Sequence, residues 1–150
     1  MPAKATQEET VSSKIFGRWE KVAQKLTDLA DAIPEKAFDF KPGGELRTSA
    51  DVLRHVAFWN HYVADSLIGK KVDDSANELP KAKYATKAQV MDALKQSFAD
   101  VSDAVQKNEF DLSAESAELL VTFIEHNCEH YGQLVVHARL NGIVPPASRT

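Results

Sequence analysis

At 150 residues and a net charge of −4 at neutral pH, the chain has room for one domain, read as 1–150, and no surplus of positive charge. Phosphate binding needs a concentrated basic face, yet the densest basic stretch, Lys81 to Lys87, holds only three lysines, so nucleic acid is excluded as the main partner. No apolar run approaches the ~20 residues that span a bilayer. The opening MPAKATQEET has no hydrophobic signal core, and Cys128 is the single cysteine. The expectation is a cytoplasmic protein with no membrane partner, no internal disulfide and no cysteine-based zinc site.

Apolar residues recur at helical spacing in four segments, and none alternates convincingly at the strand period. The first helix is predicted from about Glu8 to Ala32, with Val11, Ile15, Trp19, Val22, Leu26 and Leu29 on one stripe and Pro34 as its stop. The link from Glu35 to Arg47 contains Pro42-Gly43-Gly44 and is turn-rich. A second helix starts at Thr48 or Ser49, either of which can cap it, and runs to about Ile68, where Gly69 ends it. The polar stretch from Gly69 to Ala85 is too long for an ordinary connection and predicts a functional loop or a crossover along a bundle. The third helix spans about Thr86 to Asn108, opened by the capping box of Thr86 and Gln89. The fourth runs from near Ser113 to Asn141-Gly142, ahead of Pro145-Pro146. The fold class is therefore all-α, a four-helix bundle.

Helical geometry separates the five histidines. His126 and His130 lie four apart on the fourth helix, so their rings point ~40° apart and sit about 6 Å apart along the axis, within reach of one ion. Both share the stripe of Leu119, Phe123 and Leu134, while His55 shares that of Val52, Val56, Trp59 and Val63. Three inward histidines are expensive to bury without partners. One metal ion satisfies all three and leaves open coordination positions of the kind catalytic sites keep. His61 points about 120° away from His55, toward solvent or a groove edge. His137 lies ~10 Å along the axis from His130 and is read as a core histidine or one behind the ligands.

The segment from His126 to His130 also reads as H-x-x-E-H. A zinc-peptidase role for Glu129 is rejected, because only twenty residues follow His130 and the chain shows no sheet. Glu129 points ~100° from His130, as does Tyr131, which makes both poor ligands. Asn127 and Gln133 are candidates to orient a ligand imidazole, with Gln133 preferred because it lies ~20° from the direction of His126. Tyr62 is read as aromatic packing near the His55 stripe. Arg47, Arg54 and Arg139 are assigned to the surface or to helix ends. The fourth helix carries a second apolar face of Val121, Ile124, Cys128, Tyr131 and Val135. A helix apolar on two faces is buried on two, so this outer face is expected to form a homodimer, with Cys128 a small residue buried in the contact.

Two runs carry a family resemblance. Phe40-Lys41-Pro42, Arg47-Thr48 and Leu53-Arg54-His55-Val56-Ala57 resemble the entry to the second helix in the DinB/YfiT-like superfamily. The run from His126 to Leu134, continuing through Arg139, Asn141-Gly142 and Pro145-Pro146, resembles its last helix and tail. The resemblance covers nearly the whole chain. It implies a four-helix bundle of up-down-down-up order with a long crossover between helices 2 and 3. It also implies a three-histidine metal site at His55, His126 and His130, and no polymerase activity. Relatives include enzymes that transfer or isomerise groups with a low-molecular-weight thiol. The implied function is a metal-dependent enzyme, a thiol-dependent transferase or a hydrolase acting on a small molecule. The alternative is a non-catalytic metal- or ligand-binding stress-response protein of the same fold. The donor set predicts a divalent transition metal, zinc or nickel first, with iron, copper or manganese as alternatives.

Overall fold

The structure, a computed structural model, describes residues 9–150. Four α-helices account for most of it: α1 Val11–Ala32, α2 Ser49–Leu67, α3 Lys87–Lys107 and α4 Ala114–Leu140. Single turns of 3-10 helix follow α1 at Glu35–Ala37 and α4 at Pro146–Ser148, and no strand occurs among the described residues. Glu8, placed at the head of the first helix by its spacing, lies outside the described residues. The helix opens instead at Thr10, whose side chain accepts from the Ser13 amide while Ser13 returns the bond, and this leaves Val11 exposed.

The other caps fall where the sequence puts them. Thr48 and Asp51 close a reciprocal cap on α2, Thr86 and Gln89 do so on α3, and Ser113 accepts from the Ser116 amide on α4. Gly69 (φ 69°) and Gly142 (φ 73°) take the left-handed conformation that ends α2 and α4. At the end of α3 that conformation falls on Glu109 and Phe110. Phe110 is held there edge-on against Phe16 of α1, with ring centroids 5.5 Å apart.

Helix directions follow from which ends meet. Arg54 near the start of α2 reaches Tyr84 just before α3, and Asn108 beyond α3 donates to Leu67 at the end of α2, so α2 and α3 run parallel. Lys87 at the start of α3 donates to the carbonyls of Asp31 and Ile33 at the end of α1, which makes α1 antiparallel to α3. The Leu112 amide, ahead of α4, donates to Ser12, and Lys25 covers Tyr131, so α1 and α4 are parallel. Ser49 meets His137 while Asn60 meets Asn127, so α2 and α4 are antiparallel. The order is up-down-down-up.

Around the bundle α2 touches α3 and α4, and α1 touches α4 and α3. Helix α2 is the central element, with twelve of its nineteen residues buried against five of twenty-seven in α4. The core joins Trp19, Leu26 and Leu29 of α1 to Leu53, Val56 and Val63 of α2, Leu94 and Val101 of α3, and Leu120 and Leu134 of α4. Each fully buried leucine contributes about 1.5–3 kcal/mol. No helix among the described residues is long and apolar enough to cross a membrane.

The later part of the crossover, residues 77–84, is tied to the first part of α2 and to Arg47 just ahead of it. The Leu79 amide donates to the Arg54 carbonyl, Arg47 pairs with Glu78 at 2.8 Å, and the Arg54 guanidinium donates to the Tyr84 carbonyl and to Asp51. Arg54 is 1% exposed, so of the surface and helix-end roles expected of it the surface one fails. Two of its donors meet a carbonyl of the crossover and the Asp51 carboxylate one turn back, while its Nε is buried without a hydrogen-bond partner. Burial raises the pKa of Asp51, but hydrogen bonds from Arg54 and Thr48 outweigh it and hold the carboxylate below its usual range. Replacing Arg54 by Met should cost about 1–3 kcal/mol. It should also speed tryptic cutting at the exposed Lys70, Lys71, Lys81 or Lys83 by about tenfold while the helical signal persists. Unchanged cutting would show that the crossover is held by something else.

Candidate metal centre

His55 sits on the buried face of α2, two turns beyond its cap, and His126 and His130 sit on the facing stripe of α4. The antiparallel contact of these two helices brings the three rings together, with centroids 5.0 Å (His55–His126), 4.7 Å (His55–His130) and 4.5 Å (His126–His130) apart. One nitrogen of each ring lies within 4.8 Å of the other two, so the group could hold a metal ion. His55 is buried and the other two are half-buried.

Each ring is fixed from behind. Nδ1–H of His55 donates to the Asn77 carbonyl at 2.7 Å, that of His130 to Gln133 Oε1 at 2.9 Å, and that of His126 to Asn127 Oδ1 at 3.2 Å. With all three Nδ1 atoms donating, all three Nε2 atoms present lone pairs. The Nε2 atoms of His55 and His126 face each other at 3.0 Å. Two lone pairs at that distance repel unless a cation or a shared proton lies between them. Two nitrogens bound at about 2.0–2.1 Å to one tetrahedral zinc lie ~3.3 Å from each other, so donors, tautomers and spacing all fit a divalent ion. Among the described residues no fourth histidine, cysteine or carboxylate joins the cluster.

The surroundings differ on the two sides. Toward the middle of the bundle Trp59 packs edge-on to His55 at 6.4 Å and stacks on Phe123 at 6.0 Å, and Phe123 meets His126 at 5.4 Å. Tyr62 leans on Trp59 and Phe123, which is the aromatic packing expected of it. Trp59 Nε1–H also donates to the Asn77 side chain, so one crossover residue holds both a histidine and the aromatic wall. On the other side the Arg47–Glu78 pair stands beside Asn77, near enough for the guanidinium to disfavour protonation of His55 and His130.

The remaining sequence readings sort plainly. His61 is half-exposed and pairs with Asp100 at 3.2 Å, away from the cluster. His137 is buried and bonds Ser49 at 2.9 Å, a core histidine. Glu129 is exposed, and Tyr131 lies under Lys25. Gln133 does orient a histidine, but it is His130, its neighbour three residues back, because Gln133 reaches Nδ1 from the adjoining turn. On the outer face of α4, Ile124, Tyr131 and Val135 pack partly against the chain's own core, whereas Val121 and Cys128 are exposed in the chain. Asn77 escaped the sequence reading. No spacing rule links residue 77 to residue 55, and the one trace of it is the unusual length of the crossover.

Burial lowers the pKa of all three histidines, that of His55 and His126 to about 4. The histidine–histidine repulsion acts in the same direction on His55 and His126, against the raising effect of the Nδ1 hydrogen bonds. The sign for folding follows. Below pH 6.5 the unfolded chain takes up protons that the folded chain refuses, so stability rises with pH in that window. The metal-free protein should therefore lose stability as the pH falls from about 6.5 through about 4. Urea unfolding at several pH values checks this, and His126→Gln should flatten the dependence by about one proton. A stability independent of pH across that window would contradict the buried neutral cluster.

No curated protein matches the chain significantly. The sequence profile of the DinB family matches residues 1–149, which takes in all four helices and all three clustered histidines. By that match, the chain belongs to the DinB family.

Proposed function

We propose that the protein binds one divalent transition-metal ion, zinc or nickel first, on His55, His126 and His130. In this reading it is a metal-dependent enzyme acting on a small molecule, as a thiol-dependent transferase or a hydrolase. The observation that carries the reading is the set of three Nδ1–H donors, each committed to an oxygen, with three Nε2 lone pairs converging. A divalent ion held there supplies a Lewis acid whose full positive charge, undiminished by neutral ligands, acidifies a water or a thiol. The three donors leave room for such a group, as sites that do chemistry require.

The residues around the cluster suit a substrate with two kinds of surface. Trp59 and Phe123 offer flat apolar faces and keep water from one side of the histidines. Arg47 offers a guanidinium on the other, its pairing with Glu78 open to exchange for a substrate carboxylate because both side chains are one-third exposed. A low-molecular-weight thiol bearing a carboxylate meets both requirements. The homodimer through the outer face of α4 is supported by Val121, which that face leaves exposed in the chain. Cys128 is exposed two turns further along the same face.

Elemental analysis of untagged protein beside His55→Ala, His126→Ala and His130→Ala tests the site. About one equivalent of metal should be present in the wild type and lost in each variant. Saturation at a hundredfold excess over Kd should stabilise the wild type by about 2.7 kcal/mol, a Tm rise of about 5–10 °C. Protein that takes up neither zinc nor nickel would overturn the reading. A bound ion with four protein ligands by X-ray absorption would favour the non-catalytic, ligand-binding alternative. For the dimer, sedimentation at micromolar concentration decides, and a strict monomer would sink it.

A further inference from the structure

Three polar side chains in the bundle interior, Asn127 on α4, Asn60 on α2 and Ser97 on α3, are fully buried. They line up between a histidine of the cluster and the far side of the bundle. Ser97 Oγ–H donates to the Leu94 carbonyl at 2.7 Å, and Asn60 Nδ2 donates to Ser97 Oγ at 3.1 Å. Asn127 Nδ2 donates to Asn60 Oδ1 at 3.1 Å, and His126 Nδ1–H donates to Asn127 Oδ1 at 3.2 Å.

The direction of this chain is not free. A carbonyl only accepts, so the Ser97 hydroxyl commits its one proton to Leu94 and offers Asn60 a lone pair. Asn60 must then turn its NH2 toward Ser97 and its oxygen toward Asn127. Asn127, for the same reason, turns its oxygen toward His126. The imidazole is left to donate from Nδ1 and to keep Nε2 bare. A reversed chain would ask His126 to accept at Nδ1 and would put its proton on Nε2, where it would be donated to the His55 lone pair 3.0 Å away and would block the position of an ion, so the relay from Leu94 is what opposes that competing tautomer. Hydrogen bonds pointing the same way also polarise and strengthen one another in a dry interior.

We propose that Ser97, Asn60 and Asn127 are positioning residues that lock His126 in the Nδ1–H tautomer, with the Leu94 carbonyl as the fixed end. The consequence for metal affinity rests on the three-histidine site being a metal centre. The tautomer itself is a property of the metal-free protein and does not. The relay joins α3, which supplies no histidine to the cluster, to the chemistry between α2 and α4.

The test is long-range 1H–15N correlation of the imidazole nitrogens in metal-free, 15N-histidine-labelled full-length protein near neutral pH, with His126 assigned by its loss in His126→Gln. The wild type should carry the His126 proton on Nδ1. Ser97→Ala should give a mixture of tautomers and weaken zinc binding, read by competition with a chromophoric chelator, by about tenfold. Ser97→Thr, which keeps the hydroxyl, should restore both. Ser102→Ala removes another hydroxyl of α3 that bonds back to a carbonyl, Phe98 at 3.2 Å, and should change neither. A wild-type proton on Nε2 would overturn the proposal, whether or not Ser97→Ala folds. So would a Ser97→Ala protein with the wild-type tautomer and zinc affinity within about twofold. Failure to bind zinc at all would instead strike the metal reading and leave the tautomer result to decide the relay.

Discussion

Three imidazoles packed face to edge in a bundle interior are tolerable only when every ring nitrogen has a defined task. Here three nitrogens donate outward, to a crossover carbonyl and to two amide oxygens, and three point inward as lone pairs. That division of labour fixes much of the rest. It requires α2 and α4 to be neighbours, so that one histidine of α2 meets two from α4. It requires the crossover to return across α2, because His55 takes its acceptor from Asn77. It also places uncharged, hydrogen-bonding residues where a bundle would otherwise hold leucine, at Asn60, Ser97 and Asn127.

The crossover is the element whose role changes most between sequence and structure. Its polarity and length mark it as a connection, yet its backbone and side chains hold Arg54, Arg47, His55 and Trp59 in place. The buried Arg54 lies at the centre of this arrangement. A guanidinium can be withdrawn from water when its donors meet a carbonyl and a carboxylate in the right geometry. The crossover supplies one of the two, Asp51 of α2 the other.

The four helices are legible in the sequence because caps and apolar periodicity agree: Thr48, Thr86 and Ser113 open helices, and Gly69 and Gly142 close them. The histidine cluster is legible for a related reason. A four-residue spacing and shared apolar stripes are local facts, and only the approach of α2 to α4 has to be supplied from outside them. What is not legible depends on contacts between residues far apart in the chain. Asn77 reaches His55 across twenty-two positions and Asn60 reaches Ser97 across thirty-seven. The burial of Arg54 likewise depends on where Tyr84 falls. Gln133 is legible as the partner of a ligand imidazole, but which one depends on the length of its side chain, which lets it reach back to the imidazole three residues earlier.

The parallel pairing of α1 with α4 has a consequence in time. The first and fourth helices are neighbours, so the bundle cannot close around its core until α4 has been synthesised, and α1 must wait through the whole intervening chain. His126 and His130 arrive on that same late element, whereas His55 and its Asn77 acceptor are made well before. Until α4 is made, a nascent chain therefore presents one histidine of the cluster, His55. With the cluster read as a metal centre, acquisition of the ion and completion of the fold would be a single event, and a chain without α4 would lack the site that holds it.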